Sequence, residues 1–536
     1  MWLHTSVHAA TAAPDRASAA PSVKRRVLVA SILGSGIVFL DSTVVNVALP
    51  AIRTALHGSL ADQQWVVEAY LLTLASLLLV GGSLGDLKGR RRIFSIGLSG
   101  FGLCSGLCAL APSSPALIAA RAVQGIFGAL LVPSSLALIM DNFEDPTQRG
   151  AAIGSWTAWT GIATVIGPLG GGWLVEAASW RWIFAVNLLP VVITLWLLRQ
   201  IPESPRVGSH IDATGGLLAV LGLAGPTFAL IEQPTHGWGD PIVAIPLAVG
   251  ILLLAALLIW EHRAREPMLP LFLFRARNFA VGNLTTFSLY GGLSVATFFI
   301  VLFIQQVAGY TPLEAGLALL PITGIMFALS RRWGALAARI GPRLFMGCGP
   351  IVAGLGLLLE ARVGASADYL TTVLPGLLVF ALGLSATVAP LTSTVLGAVP
   401  PGHSGVASAI NNAISRVAGL IAIAALGAAI SASFGSRLTH DLADSHLQPA
   451  GRAAVTTALS RPLVTKVPSA PAAERPVIHA ALVDASVGAF RFGMEVAAIL
   501  AIVGGVISLI GIAPRPRPAP AASPVTPAEP ADLMAP

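Results

Sequence analysis

The chain has 536 residues, 55% of them hydrophobic and only 11% charged, with a mean hydropathy of +0.79. A soluble protein carries about 25% charged residues, so this sequence has too little charge to cover a water-facing surface, and its solvent is lipid. The net charge of +7 comes from basic residues spread over short loops without a patch, which excludes a nucleic-acid platform, and apolar runs of about 20 residues exclude a soluble enzyme built on one core.

In chain order, residues 1–23 are rich in Ala, Ser and Pro and lack the apolar core of a signal peptide. They are expected to form an irregular cytoplasmic tail. Lys24, Arg25 and Arg26 then precede an apolar run without a cleavage site, which reads as an uncleaved first span. Six spans are expected at Val27–Leu49, Trp65–Leu84, Ile93–Ala111, Leu117–Met140, Ala151–Leu174 and Trp182–Leu198, forming a bundle over 24–200. Two more, Ile211–Ile231 and Pro241–Trp260, fall in a junction over 201–277. The last six are Phe279–Phe303, Glu314–Trp333, Leu344–Ala361, Leu370–Leu396, Gly405–Phe434 and Gly488–Ile512, in a second bundle over 278–512. Within it, Gly435–Val487 reads as a partly irregular extracytoplasmic loop, and 513–536, with Pro-Arg-Pro-Arg-Pro, as a cytoplasmic tail. The fold class is all-α integral membrane: two pseudo-symmetric six-helix bundles plus two extra transmembrane helices, fourteen spans in all.

An even span count puts both termini on one side, and the basic residues make that side cytoplasmic. Lys88 with Arg90, Arg91 and Arg92, then Arg263, Arg265, Arg275 and Arg277, then Arg331, Arg332, Arg339 and Arg343 fall in loops assigned inside. Short outer loops hold mainly Arg53, Arg181 and Arg362. Cys104, Cys108 and Cys348 lie inside apolar segments and suggest neither a disulfide frame nor a metal site.

The two bundles share a repeat: Gly82, Leu84, Gly89 and Arg91 recur as Gly334, Leu336, Gly341 and Arg343 at identical spacing. Asp86 of the first copy is Ala338 in the second, so geometry is kept while chemistry diverges. Two related six-helix bundles around a central cavity is a transporter plan.

Several motifs carry a family resemblance. Gly82-Ser-Leu-Gly-Asp86-Leu-Lys-Gly89-Arg90-Arg-Arg resembles the cytoplasmic loop signature of the major facilitator superfamily, apart from Leu87, where that family usually has a basic residue. Arg121-Ala-Val-Gln124-Gly125 resembles its fourth-helix motif, and Gly167-Pro168-Leu-Gly-Gly171-Gly172 the fifth-helix motif of antiporters. Leu40-Asp41-Ser-Thr-Val-Val-Asn46-Val-Ala-Leu-Pro50 resembles the first-helix motif of fourteen-span drug:proton antiporters. Ser179-Trp-Arg-Trp-Ile-Phe-Ala-Val-Asn187 and Gly309-Tyr-Thr-Pro-Leu-Glu-Ala-Gly316 look the same way.

The resemblance implies that Asp41 takes part in proton coupling with Arg121 nearby. A carboxylate in that apolar setting costs about 2.5–3.5 kcal/mol on insertion scales and must face a cavity or a partner. A static ion pair would account for the same two residues. Glu68, near the outer end of the second span, reads either as a second protonation site or as a carboxylate at the wet interface. Glu232, Glu360 and Glu495 read as solvated interfacial carboxylates, and His403 as a structural loop residue. The resemblance further implies that Asp86 caps the helix beginning near Gly405, with Arg90 and Asp141 completing a gating cluster, while solvated charges on a cytoplasmic loop are the alternative reading of the same residues. Gly161, Gly167, Gly171 and Gly172 permit close helix approach, and Pro168 removes a backbone donor.

Phe39, Thr43, Gln124 and Trp156 are candidate contacts to a substrate in the first half of the cavity. Trp159 of the same half, and Asn283, Phe287 and Asn411 of the second half, join them. No metal cluster, nucleophile elbow or phosphate loop stands out, so no cofactor and no enzyme activity are expected. The partners implied are a small-molecule substrate, protons and the lipid bilayer, with a monomer as the working unit. The function expected is export of amphipathic, cationic or aromatic compounds in exchange for protons. A dedicated exporter of one metabolite and a non-transporting receptor on the same fold are the alternatives.

Overall fold

The computed structural model describes residues 21–143, 145–203, 211–264, 267–400, 404–459, 461–465 and 470–513. His403 and the tails at 1–20 and 514–536 lie outside these residues. The first half comprises α1 (Pro21–Leu56), α2 (Leu60–Lys88), α3 (Arg90–Ala109), α4 (Ser114–Asn142), α5 (Pro146–Ala177), α6 (Trp182–Ala185) and α7 (Leu188–Leu198). The junction is α8 (Ala213–His236) and α9 (Pro241–Arg263). The second half comprises α10 (Arg277–Gln306), α11 (Pro312–Ala318), α12 (Leu320–Ile340), α13 (Pro342–Glu360), α14 (Leu374–Gly397), α15 (Ser404–Asp441), α16 (Pro449–Leu459) and α17 (Arg475–Gly511).

Among the described residues, 13 helices are long and apolar enough to cross a membrane, and the shorter apolar run Trp182–Leu198 makes the fourteenth. Each coincides with an expected span, because a bilayer satisfies backbone groups only inside helices of about that length.

The repeat is visible in the backbone. Gly89 ends α2 and opens α3 at φ 101°, and Gly341 ends α12 and opens α13 at φ 110°. Both amides cap the preceding helix, Gly89 on the Gly85 carbonyl and Gly341 on that of Ala337. A side chain is strained at such φ. The following arginines repeat as well. Arg91 donates to the Ile201 carbonyl just past α7 at 2.5 Å, and Arg343 donates to the Leu509 carbonyl near the end of α17. Each half thus clamps the carbonyl end of its last helix, where the dipole favours a cation.

The junction helices pair closely: a Cβ on Gly225 of α8 would lie 2.2 Å from the Pro246 carbonyl of α9. α8 also packs on α2 of the first half and α15 of the second. Its Phe228 ring lies 5.9 Å from that of Trp65, whose Nε1 donates to Glu232 at 3.1 Å.

Three expectations change. α1 begins at Pro21, inside the segment read as a tail. The stretch Gly435–Val487 is largely helical where described: α15 runs on to Asp441, α16 intervenes, and α17 starts at Arg475. Its apolar residues Leu438, Leu442, Ala454, Ala458 and Ile478 are buried in the main core, which composition alone did not reveal. Glu360 is buried, not interfacial, at 1% exposure. Gly376 of α14 leaves room for it: a Cβ there would lie 2.3 Å from Glu360 Oε1.

Gly89→Ala and Gly341→Ala are each expected to lower stability by about 1–2 kcal/mol, the cost of a left-handed φ for an L side chain. Thermal unfolding in lipid checks this, with Gly82→Ala, whose Cβ would have its nearest neighbour at an ordinary 3.6 Å, as the milder control.

Candidate functional site

Asp41 lies on the face of α1 that also buries Ile37, Val38, Val44 and Val45. Its carboxylate is completely inaccessible, so it requires donors from neighbouring helices. Arg121 of α4 supplies the main one, pairing through Nη1 with Asp41 Oδ2. Oδ1 accepts from Asn187 Nδ2 at 3.1 Å and from Gln124 Nε2 at 3.3 Å.

Arg121 is equally enclosed, at 1% exposure. Its Nε donates to the Val66 carbonyl of α2 at 3.0 Å, and Nη1 to Gln124 Oε1 at 2.8 Å. The guanidinium carbon lies 4.1 Å from the centroid of the Tyr70 ring and 5.7 Å from that of Phe184, both cation–π contacts. Gln124 Nε2 also donates to Ser105 Oγ of α3 at 2.9 Å. One ion pair therefore joins α1, α2, α3, α4 and the start of α7. Asp41 itself bonds Arg121, Gln124 and Asn187, and through Arg121 and Gln124 the network extends to α2 and α3.

Glu68 lies outside this network. It is fully buried on α2, and neither carboxylate oxygen has a protein partner among the described residues. One turn earlier, Gln64 Nε2 donates to the Ile423 carbonyl of α15 at 2.9 Å. Glu68 therefore belongs to the packed interior of that region, not to a wet interface.

The expected gating residues do meet. Arg90 donates through Nε to Asp86 Oδ1 at 2.9 Å, pairs through Nη1 with Asp141, and donates to the Ala137 carbonyl at 3.2 Å. The cluster is internal to the first half. Residues 401–403, just ahead of the helix that Asp86 is expected to cap, lie outside the described residues.

The halves are joined at the other end, where Arg53 lies in the last turn of α1. Arg53 Nη1 donates to Gln306 Oε1 at 2.7 Å, and Gln305 Nε2 to the Val47 carbonyl at 3.1 Å. A Cβ on Gly172 would lie 2.5 Å from the Pro312 carbonyl, and one on Gly316 2.4 Å from that of Pro168. On its other side α5 rests on α1, where a Cβ on Gly167 would lie 2.2 Å from Thr43 Oγ1 and one on Gly171 2.5 Å from Val44. Gly161, expected in the same seam, has nothing within 4 Å. At the Asp86 end the described hydrogen bonds of Arg90, Arg91, Arg277 and Arg343 each stay within one half.

The sequence profile of the Major Facilitator Superfamily matches residues 31–439. The chain belongs to this superfamily. Among its relatives, the puromycin resistance protein of Streptomyces alboniger is 36% identical over 77% of this chain and 82% of its own. The tetracenomycin C resistance and export protein of Streptomyces glaucescens is 33% identical over 91% and 90%. The multidrug resistance protein Stp of Mycobacterium tuberculosis is 37% identical over 76% and 75%. In fold the chain is similar to a bacterial homologue of the human lysosomal transporter Spinster, with TM-score 0.66 at 17% identity, covering 92% of this chain and 98% of that one.

As a major facilitator, the chain has a central region where the cavity candidates sit as follows. The Phe39 and Trp156 rings meet edge to face, with centroids 6.3 Å apart. Thr43 Oγ1 donates to the Thr164 carbonyl at 3.3 Å, tying α1 to α5. Asn411 Nδ2 donates to Asn283 Oδ1 at 3.0 Å and to Thr286 Oγ1 at 2.7 Å, tying α15 to α10. Phe287 is half-buried beside them, and Trp159 is 55% exposed. Gln124 is a correction: it is fully buried in the ion-pair network and does not line a cavity.

Sequence reasoning missed Asn187, Ser105 and Tyr70 as partners of the pair, and Arg416 altogether. Asn187 closes a motif already noted, and a polar residue ending such a run was the available signal. Arg416 is a lone charge inside an apolar span, which alone marks a functional candidate.

Removing one member of a buried pair leaves the other uncompensated, so Arg121→Met is expected to cost about 3–5 kcal/mol. Adding Asp41→Leu to that variant should restore most of the loss. Thermal unfolding of both variants in lipid checks this, and a double variant no more stable than Arg121→Met would deny the pair that role.

Proposed function

We propose that this chain exports small amphipathic organic compounds across the cytoplasmic membrane in exchange for protons, by alternating access. The observation that carries the reading is the fully buried Asp41–Arg121 pair, in a chain whose relatives are named for antibiotic and multidrug resistance. On this reading both termini lie in the cytoplasm, which the basic loops support, and the working unit is a monomer.

On this reading the Arg53 end faces outside and is closed, while the cytoplasmic end is open to substrate. Asp41 carries the proton. When protonated it loosens its hold on Arg121, Asn187 and Gln124, so the helices they link can shift. When it releases the proton inward the network reforms. Glu68, buried without a partner, is the second candidate carrier. The Asp86–Arg90–Asp141 cluster acts as the inner gate by engaging the start of α15 when that end closes. Gly172 and Gly316 form the contact that separates when the outer end opens. Coupling follows because substrate and proton draw on the same conformational equilibrium.

A dedicated exporter of one metabolite is the second reading, favoured by the relative named for tetracenomycin C resistance and export. Breadth of the substrate profile separates the two.

The test uses everted vesicles with an acidified lumen and a panel of lipophilic cations, aromatic acids and antibiotics. Wild type is expected to dissipate the proton gradient when a transported compound is added, and Asp41→Asn is expected to lose that response. Equal responses would move coupling to Glu68, and no response to any compound would count against transport.

A further inference from the structure

Arg121 is neutralised by Asp41, but a second arginine deep in a span is not. Arg416 lies on α15, about 18 Å from the start of that helix at about 1.5 Å per residue. Among the described residues it has no hydrogen bond and no ion pair. Its guanidinium carbon makes a cation–π approach to Phe39 of α1, 5.9 Å from the ring centroid, and the Tyr70 hydroxyl of α2 lies within electrostatic reach of it. A phenyl face at that distance leaves the five guanidinium N–H donors unused. An intramembrane arginine in this condition marks a place where an anion or a strong acceptor belongs.

A second free donor borders the same ring. Trp156 of α5 packs edge-on against Phe39 at an interplanar angle of 79°. It is 8% exposed, and its Nε1–H has no acceptor among the described residues. Phe39 is thus flanked by a cationic fork from the second half and a neutral N–H from the first. The fork suits two oxygens sharing one negative charge, which it can hold with two parallel bonds. The Phe39 and Trp156 rings suit a flat conjugated body beside those oxygens. A lipophilic cation would meet the guanidinium as a like charge.

We propose that Arg416, Trp156 and Phe39 form a binding site for aromatic weak acids, with Arg416 holding the carboxylate or enolate oxygens. The site deepens the export reading and rests on it for the fate of the ligand, though not for the binding itself. It also narrows the substrate expectation from cationic or aromatic to acidic and aromatic. Because its two donors come from opposite halves, a ligand bridging them ties α5 to α15. Arg416 is thereby the residue that selects among flat amphipathic compounds by charge.

The test uses the full chain in lipid nanodiscs, with 1-hydroxy-2-naphthoate as acidic probe and tetraphenylphosphonium as cationic probe. Wild type is expected to bind the naphthoate. Arg416→Gln should weaken that binding at least tenfold, Arg416→Lys should recover part of it, and neither should weaken tetraphenylphosphonium. Trp156→Phe, which keeps the ring and removes the N–H, should weaken the naphthoate severalfold. The proposal fails if wild type prefers the cation, or if Arg416→Gln binds the naphthoate as wild type does. It also fails if Arg416→Gln and Glu68→Gln lose both probes and thermal stability alike, since Arg416 is then an ion-pair partner of Glu68 in another state. Proton flux in everted vesicles separates the two readings: Arg416-dependent binding without any flux leaves the site standing and overturns export.

Discussion

A carboxylate and a guanidinium buried together at membrane depth constrain everything around them. Neither Asp41 nor Arg121 reaches water, and each alone would face a desolvation cost that lipid cannot relieve. The first half is arranged so that neither is alone. Gly125 lets α4 lie against α2 so closely that a Cβ there would sit 2.1 Å from Thr73 Oγ1 and 2.4 Å from the Tyr70 carbonyl. That proximity puts the Val66 carbonyl within reach of Arg121 Nε. Asn187 arrives from the short connection between α6 and α7 to satisfy the other carboxylate oxygen. Segments of α1, α2, α3 and α4 and the start of α7 therefore meet at one ion pair and its hydrogen-bond partners.

The second constraint is where the halves touch. Their hydrogen-bonded contacts lie at the Arg53 end, in a seam of glycines and main-chain carbonyls between α5 and α11 and in side-chain hydrogen bonds from Arg53, Gln64 and Gln305. Such a surface separates without leaving a buried charge behind. The charged cluster of Asp86, Arg90 and Asp141 sits at the opposite end and pairs within one half, with Asp141 Oδ2 left without a partner among the described residues. α8 packs on both α2 and α15, so the junction helices touch both halves.

The spans were legible because lipid imposes length and apolarity on 13 of them among the described residues, while the shorter Trp182–Leu198 run was legible by apolarity alone. The glycine turns were legible because Gly89 and Gly341 repeat at matched spacing, and the backbone shows why: both need positive φ. Asp41 with Arg121 could be paired from motif and depth. What sequence left out was lateral. The burial of Glu360 depends on Gly376 across a neighbouring helix, and a carboxylate near a span end gives no sign of that. Gly435–Val487 has the composition of a loop, yet its few apolar residues meet a core that only the assembled second half provides. Gln124 reads as a cavity residue by position, but a guanidinium donor and two acceptors, the Asp41 carboxylate and the Ser105 hydroxyl, turn it inward.

If the charge of Asp41 sets the relation between the halves, spin labels placed at the Asp86 end on α2 and on α12 measure that relation directly. Pulsed electron resonance on the full chain in nanodiscs should show two separations whose populations shift with acidification in wild type. Asp41→Asn should hold the acid distribution at every pH. A distribution in wild type that ignores pH, or an Asp41→Asn variant that still follows it, would contradict the account.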